Sequence, residues 1–381
     1  MQSALPTYLD NNATTPVDSR VAEIVHRHLI DEYGNAGSHT HVWGSNAAKV
    51  SENARLQIAK PVEASSDEVI LTSGATESNN LAILGIAEHG QATSRTHVIT
   101  TAIEHHAVLE PIEVLSENGF TATILPANKQ GWVEPEELQK ALRPDTLFVS
   151  TMSANNETGV KLPLADYSTI LQEHLAWWHV DAAQTYGKFN YPLTDKRIDM
   201  MSISGHKVFA PKGIGALILR RRGYERPPLA PLMFGGGQER GLRPGTLPVA
   251  LVAGLGLAAE LAESEAEERA AGCEQFRKVA FAAFSELGAE LNGDPERTLP
   301  HVLNVSFPGI DAEAAMVVLK DLIAISNGSA CTSDSYEPSH VLTSMGLGQE
   351  RVAGALRVSW NHHTPEPDWE QIVSRLQQIV R

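Results

Sequence analysis

The sequence predicts an α/β protein built on a mostly parallel, mixed sheet of seven strands with helices on both faces. Two observations support this fold class. Seven short apolar runs between residues 69 and 219 are mostly separated by helix-length segments, which is typical of a parallel sheet. The last two runs, residues 198–203 and 214–219, enclose a Gly/Pro-rich turn, so we expect strand, turn, strand there.

The predicted elements of the first 220 residues alternate along the chain. A helix begins near Pro16 or Asp18, and residues 33–44 form an irregular polar loop. The remaining predicted strands comprise residues 69–72, 98–101, 121–125, 147–152 and 177–180. The predicted helices that follow the loop comprise residues 46–59, 81–88, 106–118, 135–142 and 164–175.

The last third of the chain predicts a second, smaller α+β domain. A long Ala/Glu-rich helical region, residues 247–288, leads into it. Short apolar runs at residues 304–307 and 356–359 and helices at 313–321 and 368–380 follow. We therefore expect a large domain over residues 17–260, and a small domain formed by residues 1–16 and 261–381.

Composition excludes several classes of function. The 381 residues carry a net charge of −16, which disfavours direct binding to nucleic acid or to an anionic membrane. No apolar run approaches membrane-spanning length, and neither a signal peptide nor a disulfide framework is evident, so we expect a cytoplasmic protein. The pair His39 and His41 lacks a third ligand, and we predict no metal site.

Polar residues follow five of the predicted strands, where ligands of such sheets bind. These residues are Ser73-Gly-Ala-Thr76, His105, Asn156, Asp181 with Gln184, and Ser204-Gly-His-Lys207. Lys207 alone could be an ordinary surface charge, but it also suits covalent chemistry with a carbonyl. A phosphate would fit the Gly74-Ala75-Thr76 helix start, and a pyridine nitrogen would fit Asp181. Together these groups indicate pyridoxal 5'-phosphate (PLP).

The same segments resemble the cysteine desulfurases of the class V aminotransferase family, which are fold type I PLP enzymes. The resemblance runs from Tyr8 to about Arg357. It rests on Tyr8-Leu-Asp with Ala13-Thr-Thr-Pro16, Thr72-Ser-Gly-Ala-Thr-Glu-Ser78, Asn155-Asn-Glu157, His179-Val-Asp-Ala-Ala-Gln184, Ser204-Gly-His-Lys207 and Ser329-Ala-Cys-Thr-Ser333.

The resemblance implies a role for each site residue. Lys207 would carry the cofactor and then act as the base, and His105 would stack on the ring and assist proton transfer. Arg357 would grip the substrate carboxylate with Asn156 beside it. The family is dimeric, so Thr246 would reach the phosphate of the neighbouring subunit's cofactor. The remaining cofactor contacts would come from Ala75, Thr76, Asn156, Asp181, Gln184, Ser204 and His206.

The two cysteines have different predicted roles. Cys273 lies in an Ala/Glu-rich helix and is interpreted as a packing residue. Cys331 lies in a Gly/Ser-rich stretch, about residues 326–337, that predicts an exposed, mobile loop. By the resemblance, its thiolate attacks the sulfur of L-cysteine and holds it as a persulfide for an acceptor protein. Cys331 is also a candidate transient ligand of an iron–sulfur cluster.

Several alternatives remain open at this stage. The acceptor could serve iron–sulfur cluster assembly, tRNA thiolation or DNA phosphorothioation. The sequence ends soon after the last predicted helix, which favours the last two. Rival activities are a selenocysteine lyase and another class V aminotransferase, and a non-enzymatic PLP-binding regulator is a rival from outside enzymes. Trp360-Asn-His-His363 replaces the Gly and Arg often found after the substrate arginine in this family.

Overall fold

The protein is described here from a computed structural model that covers residues 5–327 and 338–379. A seven-stranded mixed sheet forms its centre, as predicted. In spatial order the strands are β2 (Val69–Thr72), β8 (Gly215–Leu219), β7 (Met200–Ser204), β6 (Trp177–Asp181), β5 (Thr146–Met152), β3 (His97–Thr101) and β4 (Thr121–Leu125). Among these described strands, β8 alone runs in the direction opposite to the other six.

Burial explains why the sheet accepts such apolar strands. Every residue of β2, β3, β5, β6, β7 and β8 is buried, because helices cover both faces. The edge strand β4 is largely accessible. The helices of this part of the chain are α1 (Ser19–Ile30), α2 (Val42–Ala59), α3 (Ala75–Gly85), α4 (Ala87–Thr93), α5 (His106–Glu117), α6 (Pro135–Ala141), α7 (Leu164–Leu171) and α8 (Val249–Ser264).

Several helix boundaries differ from prediction; the helix expected at residues 81–88, for example, is α3 followed by α4. Two other differences have identifiable reasons. Helix α2 begins four residues before the expected residue 46, because the His41 ring accepts the Gly44 N–H at 3.1 Å and caps the helix. Helix α7 ends at Leu171, before the expected 175. The Arg197 guanidinium donates to the carbonyls of Leu171 and His174, which replaces the helical bonds that those carbonyls would otherwise need.

A second sheet is antiparallel, with the strand order β12 (Ala355–Ser359), β10 (Val302–Ser306), β9 (Glu290–Leu291). Two-residue strands β1 (Thr7–Tyr8) and β11 (Ile323–Ala324) pair in parallel. The helices of this part are α9 (Ala266–Ser285), α10 (Ala312–Leu319), α11 (His340–Ser344), α12 (Gln349–Ala353) and α13 (Trp369–Gln377). The predicted helical region 247–288 is thus two helices, α8 and α9, separated at Glu265.

The apolar core of this second part is distinct from the core around the large sheet. It joins α9, β10, β12 and α13, and it includes Cys273, which is buried as predicted. The expected domain boundary at residue 260 falls inside α8, and the division into two domains stays a prediction. Within residues 5–327 and 338–379, no helix is both long enough and apolar enough to cross a membrane.

Candidate active site

A cavity of about 370 Å³ lies at the carboxyl ends of the parallel strands. It is lined by most of the residues that the sequence singles out: Ala75, Thr76, His105, Asn156, Asp181, Gln184, Ser204, His206, Lys207 and Arg357. A volume of this size suits a small organic ligand. The carboxyl ends of the strands therefore bring these side chains together, as the sequence pattern predicts.

Lys207 stands in a 3₁₀ turn, Gly205–Lys207, directly after β7. Its ammonium donates to the backbone carbonyl of Ala13 at 2.9 Å and also to that of Asn12. The N-terminal segment is fixed to the same turn, because Thr15 N–H donates to the His206 carbonyl at 2.9 Å. The lysine amine is therefore held at the cavity wall by residues nearly two hundred positions earlier in the chain.

The start of helix α3 forms an anion-binding end of the cavity. Gly74 precedes the helix with φ +156°, a conformation that residues with a side chain rarely adopt. Its backbone also lies against β8, where a Cβ on Gly215 would come within 2.6 Å of Gly74 Cα. The N–H groups of Ala75 and Thr76 at this helix N-terminus, with the nearby Ser204 hydroxyl, can bind a phosphate.

Asp181 is held in place by two donors at the end of β6. The Asn79 side-chain amide donates to one carboxylate oxygen at 2.7 Å, and the Ala183 N–H donates to the other at 2.9 Å. The side chain is buried, and these two bonds fix the orientation of its carboxyl group. A carboxyl group held in this way can pair with a pyridine nitrogen.

Burial makes the two histidines of the cavity poor bases. It lowers the pKa of His105, with the Lys207 cation adding to the effect while Asp181 opposes it. Burial and then Lys207 lower the pKa of His206 to about 4. Both rings are therefore neutral near pH 7. The His105 ring accepts the Ala107 N–H at 3.0 Å, which fixes its orientation at the start of α5.

Arg357, on β12, brings a guanidinium to the cavity from the second sheet. It is 2% exposed; it donates to Asp10 Oδ1 at 2.7 Å and to the Asn156 carbonyl at 3.2 Å. Its Nε has no hydrogen-bond partner among the described residues. A fork held in this way suits bidentate recognition of a carboxylate.

The residues of the cavity fit PLP and an amino-acid substrate. Besides Arg357 Nε, three buried polar atoms of cavity-lining residues have no hydrogen-bond partner in the described part of the chain: Gln184 Oε1, Asn12 Oδ1 and Asn79 Oδ1. Buried polar atoms are nearly always hydrogen-bonded, so such atoms are expected where a polar ligand binds. The phosphate end, the carboxylate and the amine are present together in one cavity.

One predicted site residue of the described part of the chain is not brought into this cavity. Thr246 is exposed, between a 3₁₀ turn and α8, and it does not line the cavity of its own chain. Cys331 lies outside the described residues. Three further residues lie at the site although no role was predicted for them from the sequence: Asp10, Asn12 and Asn79. Each acts by holding another site residue, and only Asp10 had a signal, in the Tyr8-Leu-Asp motif.

The departure at Trp360 does not disturb Arg357. The Trp360 ring is buried in the second core beside Phe276, at 4.9 Å between ring centres, and its N–H donates to the Cys273 carbonyl at 3.0 Å. Asn361 donates to Asn11 at 2.9 Å. These contacts tie the segment after β12 to α9 and to the N-terminal segment.

Comparison with known proteins agrees with the geometry. The family model for aminotransferase class-V matches residues 7–372. Cysteine desulfurase from Homo sapiens is 42% identical over 379 residues, which cover 99% of this chain and 82% of that protein. The solved structure of DndA from Streptomyces lividans is 50% identical, covers 93% of this chain and 99% of its own, and has a TM-score of 0.82. A solved NifS-like protein is 37% identical with a TM-score of 0.89, and covers 98% of each chain. This chain belongs to the aminotransferase class-V family.

Proposed function

We propose that this protein is a PLP-dependent cysteine desulfurase that converts L-cysteine to L-alanine and passes the sulfur, through a persulfide on Cys331, to an acceptor protein. The observation that carries the proposal is one cavity lined by Lys207, Asp181 and Arg357. Relatives that are 42% identical over nearly the full chain are cysteine desulfurases. These relatives favour cysteine desulfurization over the selenocysteine lyase and aminotransferase alternatives.

Substrate binding in this proposal depends on Arg357 and Asn156. The guanidinium of Arg357 binds the carboxylate of cysteine, and Asp10 keeps the fork oriented. With the carboxylate fixed, the Cα–H and the sulfur of the substrate point to different groups of the enzyme. Orientation of this kind lowers the barrier because fewer motions must be restricted in the transition state.

Proton transfer is assigned to Lys207. PLP supplies the electron sink that makes the Cα proton of the substrate acidic. The Nζ atom of Lys207 takes that proton and returns one to carbon, while the carbonyls of Asn12 and Ala13 hold the amine at the cavity wall. Asp181 is assigned to pair with the pyridine nitrogen of the cofactor, and neutral His105 is placed to share in proton movement.

Cys331 is assigned to sulfur transfer. The carbon–sulfur bond of cysteine breaks and a sulfur–sulfur bond forms on Cys331. Of the two thiol protons, one is transferred to the substrate carbon to give alanine and the other remains with the persulfide, so atoms and electrons balance. The described flanks of the segment support this role. Ser326 pairs with the Arg357 backbone, and Ser339 donates to Glu157 beside Asn156.

A homodimer and a cytoplasmic location belong to the same proposal. Thr246 is exposed on its own chain, which suits contact with the cofactor phosphate of a neighbouring subunit. The net charge of −16 suits a partner protein rather than nucleic acid as the sulfur acceptor. Size measurement in solution tests the homodimer, and isotope tracing from labelled cysteine to co-expressed proteins tests whether the acceptor is a protein.

The activity is tested by measuring alanine and protein-bound sulfur after adding L-cysteine to the purified holoenzyme. We expect Cys331→Ala to abolish multiple turnover and persulfide while the visible absorbance of the cofactor remains. Cys273→Ala is the matched control, since this cysteine packs in the second core, and we expect it to keep both products. Full turnover in Cys331→Ala would contradict the assignment.

A further inference from the structure

A second, smaller cavity of about 40 Å³ lies behind the turn that carries Lys207. Thr15 and Phe209 form the wall nearest that turn, where the Phe209 N–H donates to Thr15 Oγ1 at 2.9 Å. The opposite wall comes from α9 and from the segment after β12. This cavity shares no described lining residue with the proposed active site.

The described lining of the small cavity has basic side chains and no carboxylate. Its lining includes four basic side chains, Lys188, Arg269, His301 and His362, and none of the described lining residues is acidic. The rest of the wall is mostly apolar, with Phe209 and Trp360 among its members. Buried basic groups without a facing carboxylate are unfavourable unless an anion or a hydrogen-bond acceptor compensates them.

The ammonium group of Lys188 has weak hydrogen-bond compensation for its burial. Its ammonium donates to His301 Nε2 at 3.4 Å, and it makes no other hydrogen bond to the described residues. Burial and then the Lys207 cation lower the pKa of Lys188 to about 7. Burial also lowers the pKa of His301 well below its ordinary value, so His301 is neutral and adds no negative charge.

Arg269 leaves one donor unused. It is 7% exposed, and its Nε and Nη2 both donate to Glu265, at 3.1 and 2.8 Å. Glu265 also accepts from Arg20 at 2.6 Å, so one carboxylate serves two guanidinium groups. The Nη1 of Arg269 and the Nε2 of His362 are buried and have no partner among the described residues.

We propose that this cavity binds a small, singly charged anion of about the size of chloride, held by Lys188 and Arg269. The volume exceeds the ~10–15 Å³ that one water needs and is far below the several hundred Å³ of an organic-ligand pocket. An apolar wall favours a weakly hydrated anion. Chloride and hydrosulfide share this chemistry. The proposal does not depend on the proposed desulfurase activity.

The direct test is crystallography of the holoenzyme in bromide. We expect an anomalous difference peak in the cavity within hydrogen-bonding distance of Lys188 Nζ or Arg269 Nη1. A cavity that holds water alone, or no density, overturns the proposal. This test needs no variant and no substrate, so its failure would leave the desulfurase proposal untouched.

The solution test is the bromide nuclear resonance line width in the presence of the holoenzyme. We expect saturable broadening that Lys188→Met weakens by about tenfold, because a charge-assisted hydrogen bond is lost. Lys161→Met is the matched control: Lys161 lies over the Phe189 ring at 4.7 Å, outside the cavity, and should leave bromide affinity unchanged.

Competition identifies the anion. Displacement of bromide by chloride, by hydrosulfide or by both supports the site and ranks the two sources. Displacement by neither, or equal broadening in wild type and Lys188→Met, contradicts it. Binding seen in bromide crystals but absent in solution also contradicts it.

Discussion

Replacement of Arg357 by lysine tests how the site recognises its substrate. The guanidinium donates to Asp10 at 2.7 Å and to the Asn156 carbonyl at 3.2 Å, which leaves its Nε for another acceptor. Lysine keeps the positive charge but presents one ammonium in place of a planar fork. The variant therefore removes one hydrogen bond to the substrate carboxylate without removing the charge.

The expected loss follows from the strength of that bond. A hydrogen bond to a charged group contributes about 1.5–3 kcal/mol, which corresponds to about a 10- to 100-fold rise in KM for L-cysteine. We expect kcat to change much less, because the carboxylate contact is present in both the ground state and the transition state.

Initial rates of alanine formation over a range of cysteine concentrations give both constants. Arg375→Lys is the matched control, since Arg375 forms a two-bond pair with Asp321 on the surface of α13. That exposed pair should contribute little to stability and nothing to KM. An unchanged KM in Arg357→Lys would refute the assigned role.

Two further predictions concern stability. Burial raises the pKa of Glu104 to about 8, so the folded state keeps a proton that the unfolded state loses above its ordinary pKa near 4.5. The free energy of unfolding should thus fall by on the order of 4–5 kcal/mol as pH rises from about 4.5 to 8. Denaturant titration at several pH values should show a smaller fall in Glu104→Gln than in the wild type. An equal fall in the two proteins would contradict the prediction. Ser339 caps α11 through the Leu342 N–H and donates to buried Glu157 at 2.5 Å, so Ser339→Ala should cost about 2–4 kcal/mol. The exposed cap Asp368→Ala should cost only about 1 kcal/mol, and equal costs would show that Glu157 contributes nothing.

The large sheet and most of the site were predictable because their signals are local. Each buried strand is a short apolar run, and each of these runs except β8 is followed by polar residues that the site uses. Parallel strands bring their carboxyl ends to one edge, so the chain order of His105, Asp181 and Lys207 was enough to place them together.

The features that were not predicted depend on contacts between residues far apart in the sequence. Strands β1 and β11 have two residues each and pair across more than three hundred positions, with no periodicity to reveal them. Asn79 follows the predicted phosphate loop, but nothing local shows that its amide reaches Asp181. The carbonyls of Asn12 and Ala13 belong to the backbone, so no residue type could have indicated that they bind Lys207.

The most direct measurement is borohydride reduction of the coloured holoenzyme followed by peptide mapping. If Lys207 carries PLP, the reduced cofactor should be found on the peptide that contains Lys207. The nearby Lys188, whose pKa near 7 also makes it a nucleophile, should be unmodified. A colourless protein, or label on Lys188 in place of Lys207, would contradict the central claim that the Lys207 amine begins the chemistry.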